Sequence, residues 1–335
     1  MKKYLLLLFL SVLAICCSKD DNDGNNSVNA DEPRMGNSAI TNIYATGTVA
    51  EQTAEEAKKT IFGKWDFGSN NSSAKSAIKN GCSFQSLEFT DDSYLVGITD
   101  PNGESIQIYG DYDFKEENEK VVSVQLSTYF EGESEMVAEI TDIVVEENNG
   151  VIDIAFKFNF KVDLIDYGIP CDPSLLNKDY SAEKDEPMDG TLEADKDSNH
   201  YKAVGKYLAT SYTDSDGWDL DKLYLDPCID YEYNSETGEE TEVVDQDCTP
   251  LDAIQLELST YGTYLFMQLS ENSPLYIEKG TWAFNEDETK VTIGGPDGDF
   301  TVSISNLTES GMTMTIEEEE DDGTLYTATF VWEKQ

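Results

Sequence analysis

Six apolar side chains at every second position restrict what this chain can become: Ile152, Ile154, Phe156, Phe158, Phe160 and Val162, with Asp153, Ala155, Lys157, Asn159 and Lys161 between them. Successive side chains of a strand point to opposite faces, so this stretch reads as a β-strand with one face buried and one in water. A helix, with its period of 3.6, cannot keep such a set on one side. The same period recurs in Tyr94, Val96 and Ile98, in Tyr112 and Phe114, and in Val122, Val124 and Leu126. Beyond residue 200 it returns in Ile254, Leu256 and Leu258, in Trp282 and Phe284, in Phe300, Val302 and Ile304, in Met312, Met314 and Ile316, and in Tyr326, Ala328, Phe330 and Trp332. Turn formers separate the runs: Asp91-Asp92, Pro101-Asn102-Gly103, Asn148-Asn149-Gly150, Pro296-Asp297-Gly298 and Asp321-Asp322-Gly323. No long helical stretch interrupts them. The fold class is all-β, an antiparallel up-and-down meander closing as a barrel or a sandwich.

One short helix is expected from Thr48 to Ile61, where Ala50, Ala54, Ala57 and Ile61 recur at helical spacing. It runs into Gly63-Lys64-Trp65. Residues 166–199 carry Pro170, Pro173 and Pro187 among acidic and polar residues and read as an acidic linker. The segments on either side of it are copies. Gly63-Lys64-Trp65 matches Gly205-Lys206-Tyr207, Cys82 through Phe89 matches Cys248 through Leu258, and Tyr109-Gly110-Asp111-Tyr112 matches Lys279-Gly280-Thr281-Trp282. From Gly110 to Phe158 is 48 residues and from Gly280 to Phe330 is 50, which aligns those two phenylalanines. The copies differ at the start: Gly63 to Cys82 spans 19 residues and Gly205 to Cys248 spans 43, which places an insertion at 213–247.

A short helix, a Gly-x-Trp first strand and a mid-domain Tyr-Gly-x-Tyr strand resemble the lipocalin superfamily, and more particularly the lipocalin-like domains of surface lipoproteins from Bacteroidota-type bacteria. Trp218 to Cys228 adds to that resemblance. It implies two tandem lipocalin-like barrels, at 48–165 and 200–335. Lipocalins place an arginine of the last strand over the tryptophan. The one arginine here is Arg34, so Lys161 and Lys334 are the residues expected in its place.

The first residues give a location. Lys2 and Lys3 precede an apolar run from Tyr4 to Ile15, too short to span a bilayer. Small residues and two cysteines follow. This resembles a lipoprotein signal peptide, residues 1–16, with cleavage before Cys17 as the lipidated residue and Cys16 as the second choice. Ser18-Lys19-Asp20-Asp21 resembles a surface-export signal, and residues 17–47 form a polar, disordered tether. The expected location is the outer membrane, lipid-anchored and facing outward. With 68 acidic against 22 basic residues the chain repels nucleic acid, whose binding needs Lys and Arg.

Cys82, Cys171, Cys228 and Cys248 remain, an even number in an exported chain, with three pairings open. Cys228 with Cys248 is local and is expected to stabilise by about 3 kcal/mol. Cys82 with Cys171 then follows by elimination. For chemistry the sequence offers little. His200 is the one histidine, and Gly-x-Ser-x-Gly, His-Glu-x-x-His and phosphate-loop motifs are absent. No catalysis and no cofactor are expected. Asp214, Asp216, Asp219 and Asp221 have the flavour of a calcium loop without matching the EF-hand pattern. Trp218, Tyr224, Tyr231 and Tyr233 make the insertion the expected ligand-binding segment. Two functions fit: a module binding a small apolar or glycan ligand, or a structural, adhesive surface protein binding a protein or matrix partner. A packed barrel interior would favour the second; an open one would favour the first.

Overall fold

The computed structural model describes residues 45–67, 82–90, 93–103, 105–130, 133–167, 169–191, 195–234, 239–245, 248–270, 273–295, 298–319 and 323–335. Cys16, Cys17, nearly all of the tether and the Asp91-Asp92 turn lie outside them. One compact unit ends at Met188 and the next begins at Asp189. Each is a closed eight-stranded antiparallel barrel.

The first unit opens with β1 (Gly47–Thr48), a 3-10 turn (Val49–Glu51) and a helix (Ala54–Ile61). The helix starts later than its spacing suggests because Thr53 caps it: the Thr53 hydroxyl accepts from Glu56 N–H, and the Glu56 carboxylate accepts from Thr53 N–H. Ala50 falls outside the helix and is exposed. The barrel strands are β2 (Gly63–Asp66), β3 (Ser83–Phe89), β4 (Ser93–Thr99), β5 (Ser105–Glu117), β6 (Lys120–Phe130), β7 (Glu133–Asn148), β8 (Val151–Phe160) and β9 (Lys178–Lys184). Each pairs with the next, and β9 pairs with both β8 and β2 to close the ring.

The closing strand lies inside the segment expected to be a linker. Residues 166–188 belong to the first barrel: Cys171 is bonded to Cys82, with Cα atoms 5.7 Å apart, Asp172 caps a helical turn (Pro173–Leu176), and β9 completes the wall. β9 escaped the pattern because its inward side chains are Tyr180, Ala182 and Lys184, only one of them a large apolar group.

The second unit follows the same plan. A short helix (Asn199–Ala203) leads to β10 (Gly205–Asp214). The insertion follows, with a helix (Leu220–Leu225) and the hairpin β11 (Ile229–Asn234) and β12 (Glu239–Val244). Then come β13 (Ala253–Leu258), β14 (Thr263–Ser270), β15 (Ser273–Phe284), β16 (Lys290–Gly295), β17 (Gly298–Thr308), β18 (Gly311–Glu319) and β19 (Leu325–Lys334), which pairs back to β10. β11 and β12 form a two-stranded sheet of their own, so the insertion does not lengthen the barrel wall. Cys228 and Cys248 are bonded across it, with Cα atoms 5.4 Å apart.

The two registers coincide. Trp65 lies opposite Leu87 and Lys184; Tyr207 lies opposite Leu256 and Lys334. Trp65 Nε1 donates to the Ile61 carbonyl and Tyr207 Oη to the Ala203 carbonyl, each at 2.8 Å and each four residues back in the preceding helix. Lys184 Nζ sits 5.0 Å from the Trp65 ring centre and Lys334 Nζ 5.7 Å from the Tyr207 ring centre. The basic group over the aromatic is therefore a lysine of the eighth strand in both barrels. Lys334 serves as expected; Lys161 does not, being held by Glu139 at 2.9 Å. A Cβ on Gly110 would lie 1.8 Å from the Ser127 carbonyl oxygen, and one on Gly280 equally close to that of Gly294, so only glycine lets either strand pass its neighbour there. The register also corrects the alignment of Phe158 with Phe330: Phe158 is in the seventh strand of its barrel and Phe330 in the eighth. The distances match because β6 and β7, of 11 and 16 residues, are longer than β16 and β17, of 6 and 11, so three strand steps in the first barrel cover the length of four in the second.

Candidate functional site

The first barrel is filled. Phe67, Phe84, Phe156, Phe158, Phe160 and Tyr180 pack with ring centres 4.7–6.4 Å apart, in tilted, stacked and edge-on pairs. Leu164, Ile169 and Leu176, from the connection before β9, are buried in the same cluster. The pattern Phe156, Phe158, Phe160 meant a packed interior here.

In the second barrel three inward positions of β14 and β15 that are isoleucine in the first carry polar side chains. Tyr94 opposes Gly110 in the first barrel as Tyr264 opposes Gly280 in the second. Counting from these pairs, Ile98, Ile106 and Ile108 correspond to Gln268, Tyr276 and Glu278. All three share the inward face of β14 and β15 with Tyr264 and Phe266. Glu278 is 8% exposed and Gln268 4%. The Glu278 carboxylate accepts a short hydrogen bond from Tyr264 Oη and a longer one, 3.4 Å, from Tyr276 Oη. Burial first, and the carboxylate second, push the Tyr264 phenol well above its usual range, so it stays a donor. Gly295 on β16 closes this side: a Cβ there would lie 3.1 Å from Glu278 Oε1. Burying a carboxylate inside a barrel is costly where isoleucine is the alternative, and the first barrel shows that the fold accepts isoleucine.

A second polar group lies where β10 leaves the barrel. Asp214 Oδ2 accepts from Tyr212 Oη at 3.0 Å and from Tyr326 Oη at 3.1 Å, while Oδ1 accepts from the N–H groups of Asp216 and Trp218 at 3.0 and 2.9 Å. Burial, and then the neighbouring phenol and carboxylate, raise Tyr212. Asp214 thus ties the start of the insertion to the barrel wall, and Ser215 N–H adds a bond to the Thr327 carbonyl at 2.9 Å.

The residues expected to bind ligand are spread over two pieces of the insertion. Trp218 and Tyr224 belong to its helical part, both half-buried, with Lys222 Nζ 4.4 Å from the Trp218 ring centre. Burial first, then Asp252 and Asp221, raise the Tyr224 phenol. Tyr231 and Tyr233 stand at alternate positions of β11, opposite Glu242 and Glu240. The four aspartates do not gather. Asp214 has both oxygens occupied by N–H and O–H donors, Asp219 caps the helix Leu220–Leu225 by accepting from Lys222 N–H, and Asp216 and Asp221 are exposed. Among the described residues no group of three or more His, Cys, Asp or Glu side chains is placed to hold a metal ion. The physical reason is that short aspartate side chains organise their own loop backbone here. His200 packs edge-on against Phe284, with its Nδ1 3.5 Å from Glu288.

Sequence reading missed Glu278, Gln268 and Tyr276. The signal was present in the repeat itself: placing Tyr264 over Tyr94 sets these three residues over three isoleucines.

No family model and no curated protein matches this chain. Among solved structures, a lipocalin-like protein from Bacteroides uniformis is similar at 13% identity over 40% of this chain and 99% of its own, with a TM-score of 0.22. An uncharacterized protein from Bacteroides eggerthii is similar at 12% identity over 39% of this chain and 98% of its own, with a TM-score of 0.21. A double mutant of the vaccine antigen Transferrin Binding Protein B from Haemophilus parasuis is similar at 8% identity; it covers 75% of this chain, which covers 53% of it, with a TM-score of 0.21. The strand pairings themselves establish the fold: two closed, eight-stranded, antiparallel up-and-down barrels, one after the other along the chain.

Proposed function

We propose that this chain is a non-catalytic binding protein, anchored to the outer membrane through lipid on Cys17 and facing outward, whose second barrel takes a small ligand. The first barrel is its packed scaffold. One observation carries the reading: a buried Glu278, with Gln268 and Tyr276, stands where the first barrel has Ile108, Ile98 and Ile106, and Tyr264, the counterpart of Tyr94, donates to it. Polar groups placed with this precision inside an apolar wall are what orients a ligand in a small barrel. They favour a polar, hydrogen-bonding ligand such as a glycan over a wholly apolar one. Among the described inward residues of the site none is a histidine or cysteine, and the packing of His200 against Phe284 supports a structural part for the one histidine.

Two observations support the adhesive reading: the first barrel is filled, and apolar side chains stand exposed at one end of the second. Leu225, Val243, Val244, Leu275 and Leu325, in the insertion and at the strand ends on the same side of the barrel, are each at least 38% exposed. Such residues suit a protein partner.

Protein purified from its own host and weighed by native mass spectrometry is expected to carry a mass beyond its polypeptide and lipid, released on unfolding. A polypeptide-plus-lipid mass alone under gentle conditions contradicts the ligand reading. For the anchor, Cys17→Ala is expected to abolish acylation while Cys16→Ala leaves it intact; loss of acylation in Cys16→Ala would move the site by one residue.

A further inference from the structure

Apolar and acidic side chains stand exposed together at the end of the second barrel that carries the insertion. Resting on the adhesive reading, we propose that this end docks a protein segment presenting apolar side chains flanked by lysine or arginine. The two feet of the insertion join its exposed apolar residues to the wall. One foot is at β19: Ser215 N–H donates to the Thr327 carbonyl and Asp214 accepts from Tyr326, next to Leu325. The other is at β14 and β15. There Leu251 N–H donates to the carbonyl of Tyr224, beside Leu225, and Ser270 Oγ donates to the Pro250 carbonyl at 3.1 Å. Ser270 in turn pairs with Ser273, two residues before Leu275. Leu325 is 54% exposed and Leu275 48%, and leucines left in water at the end of a wall mark a surface that a partner covers. Charge then selects the partner. Asp216, Asp219 and Asp221 follow β10, Asp299 opens β17, and Glu317 and Glu319 close β18, all at this end and all exposed. Among the described residues no lysine forms an ion pair with any of the six. Residues 189–335 hold no arginine, and Lys196, Lys202, Lys206, Lys290 and Lys334 stand at the opposite end, with the helix Asn199–Ala203. Lys279 lies in mid-wall, which leaves Lys222, over the Trp218 ring, as the basic group at this end. The corresponding end of the first barrel is mixed in sign, since Lys161 follows β8 and Lys178 opens β9. An apolar surface bordered by acids accepts a basic partner, and like-charge repulsion turns away a second copy of this chain or an anionic membrane.

The test selects binders to the full chain from a phage-displayed library of random dodecapeptides. Enriched peptides are expected to combine Leu, Ile or Phe with Lys or Arg. Their affinity should fall roughly fivefold or more in Leu225→Ser with Leu325→Ser, which keeps every charge, and by a similar factor in Asp299→Asn with Glu317→Gln and Glu319→Gln, which keeps every leucine. Val151→Ser, at an exposed position of the first barrel, should leave it unchanged. Salt gives a reading that does not depend on any variant folding: at about 1 M, where the Debye length is about 3 Å, the wild type should bind the peptides roughly tenfold more weakly than at low salt. No enriched peptide, enriched peptides without Lys or Arg, binding unmoved by salt, or full binding by either variant set would each overturn the proposal; full binding by the leucine pair would show that net charge alone attracts the peptides. The adhesive reading is tested separately, with photo-reactive p-benzoylphenylalanine in place of Leu325 in the host. A cross-link to a protein whose contact surface carries no Lys or Arg would keep that reading and sink this one, and a cross-link to lipid, to a second copy or to nothing would sink both.

Discussion

The two barrels share one register and put their extra chain in different places. In the first, the long connection lies before the last strand, and Cys171 in it is bonded to Cys82 at the head of β3. That connection buries Leu164, Ile169 and Leu176 against an aromatic interior. In the second, the last connection is short and the length sits between β10 and β13, where Cys228 and Cys248 close the insertion on itself. A cysteine ahead of the second barrel strand is thus used once to pin a core-filling segment and once to brace an outlying one. The interiors follow the same division: isoleucines and phenylalanines in one, Glu278, Gln268 and a set of tyrosines in the other. The same wall holds an apolar filling in one copy and polar groups at matching positions in the other.

The disulfides give the largest contrast. Removing the Cys82–Cys171 bond, with 89 residues between its ends, should cost about 4–5 kcal/mol by loop entropy and lower the melting temperature of the first barrel. Removing Cys228–Cys248 should cost about 3 kcal/mol in the same model, but confined to the insertion: the hairpin should become sensitive to protease while the β13–β19 wall keeps its amide protection. Equal effects on both barrels would break the comparison.

Asp214 tests whether the insertion is held by the barrel. Asp214→Ala leaves two phenols and two backbone N–H groups without their acceptor and should cost about 1–3 kcal/mol. Hydrogen exchange should speed up at Asp216 and Trp218 before it does in β14 or β15. Faster exchange throughout the barrel would mean that Asp214 supports the wall instead.

Lys184 gives the smallest effect. Burial pulls its ammonium group from 10.5 down to about 7 in the fold, although the Trp65 ring beneath it works the other way. Between those values the unfolded chain binds the extra proton, so stability rises with pH across roughly pH 7 to 10, and the penalty of the buried charge is complete below the folded value. The slope should stay under the limit for one proton, about 1.4 kcal/mol per pH unit, because Lys184 is only half-buried. Lys184→Met should flatten the curve of the first barrel over that range. An unchanged slope would show that the group titrates outside it.

Much of the fold was legible because inward residues were large and apolar at period two, as in Ile152 to Phe160, and because Gly63-Lys64-Trp65 and Gly205-Lys206-Tyr207 mark the same corner twice. β9 was not, since a strand needs few apolar side chains once both neighbours exist to pair with it. Lys184 was hidden with it, which is why Lys161 stood in its place. The expected binding residues of the insertion were aromatic and conspicuous, whereas Glu278 looked like one acid among 68. Its register opposite Phe266, and its place over Ile108 in the repeat, mark it as inward.

The central claim is that the ligand belongs to the second barrel alone. Native mass spectrometry of host-purified protein tests it when two variants are compared: Gln268→Ile with Tyr276→Ile and Glu278→Ile, which gives the second barrel the filling of the first, and Ile98→Val with Ile106→Val and Ile108→Val, which trims the first. The account predicts that the first variant folds and loses the retained mass while the second keeps it. Retention in the first variant, or loss in the second, would contradict the account.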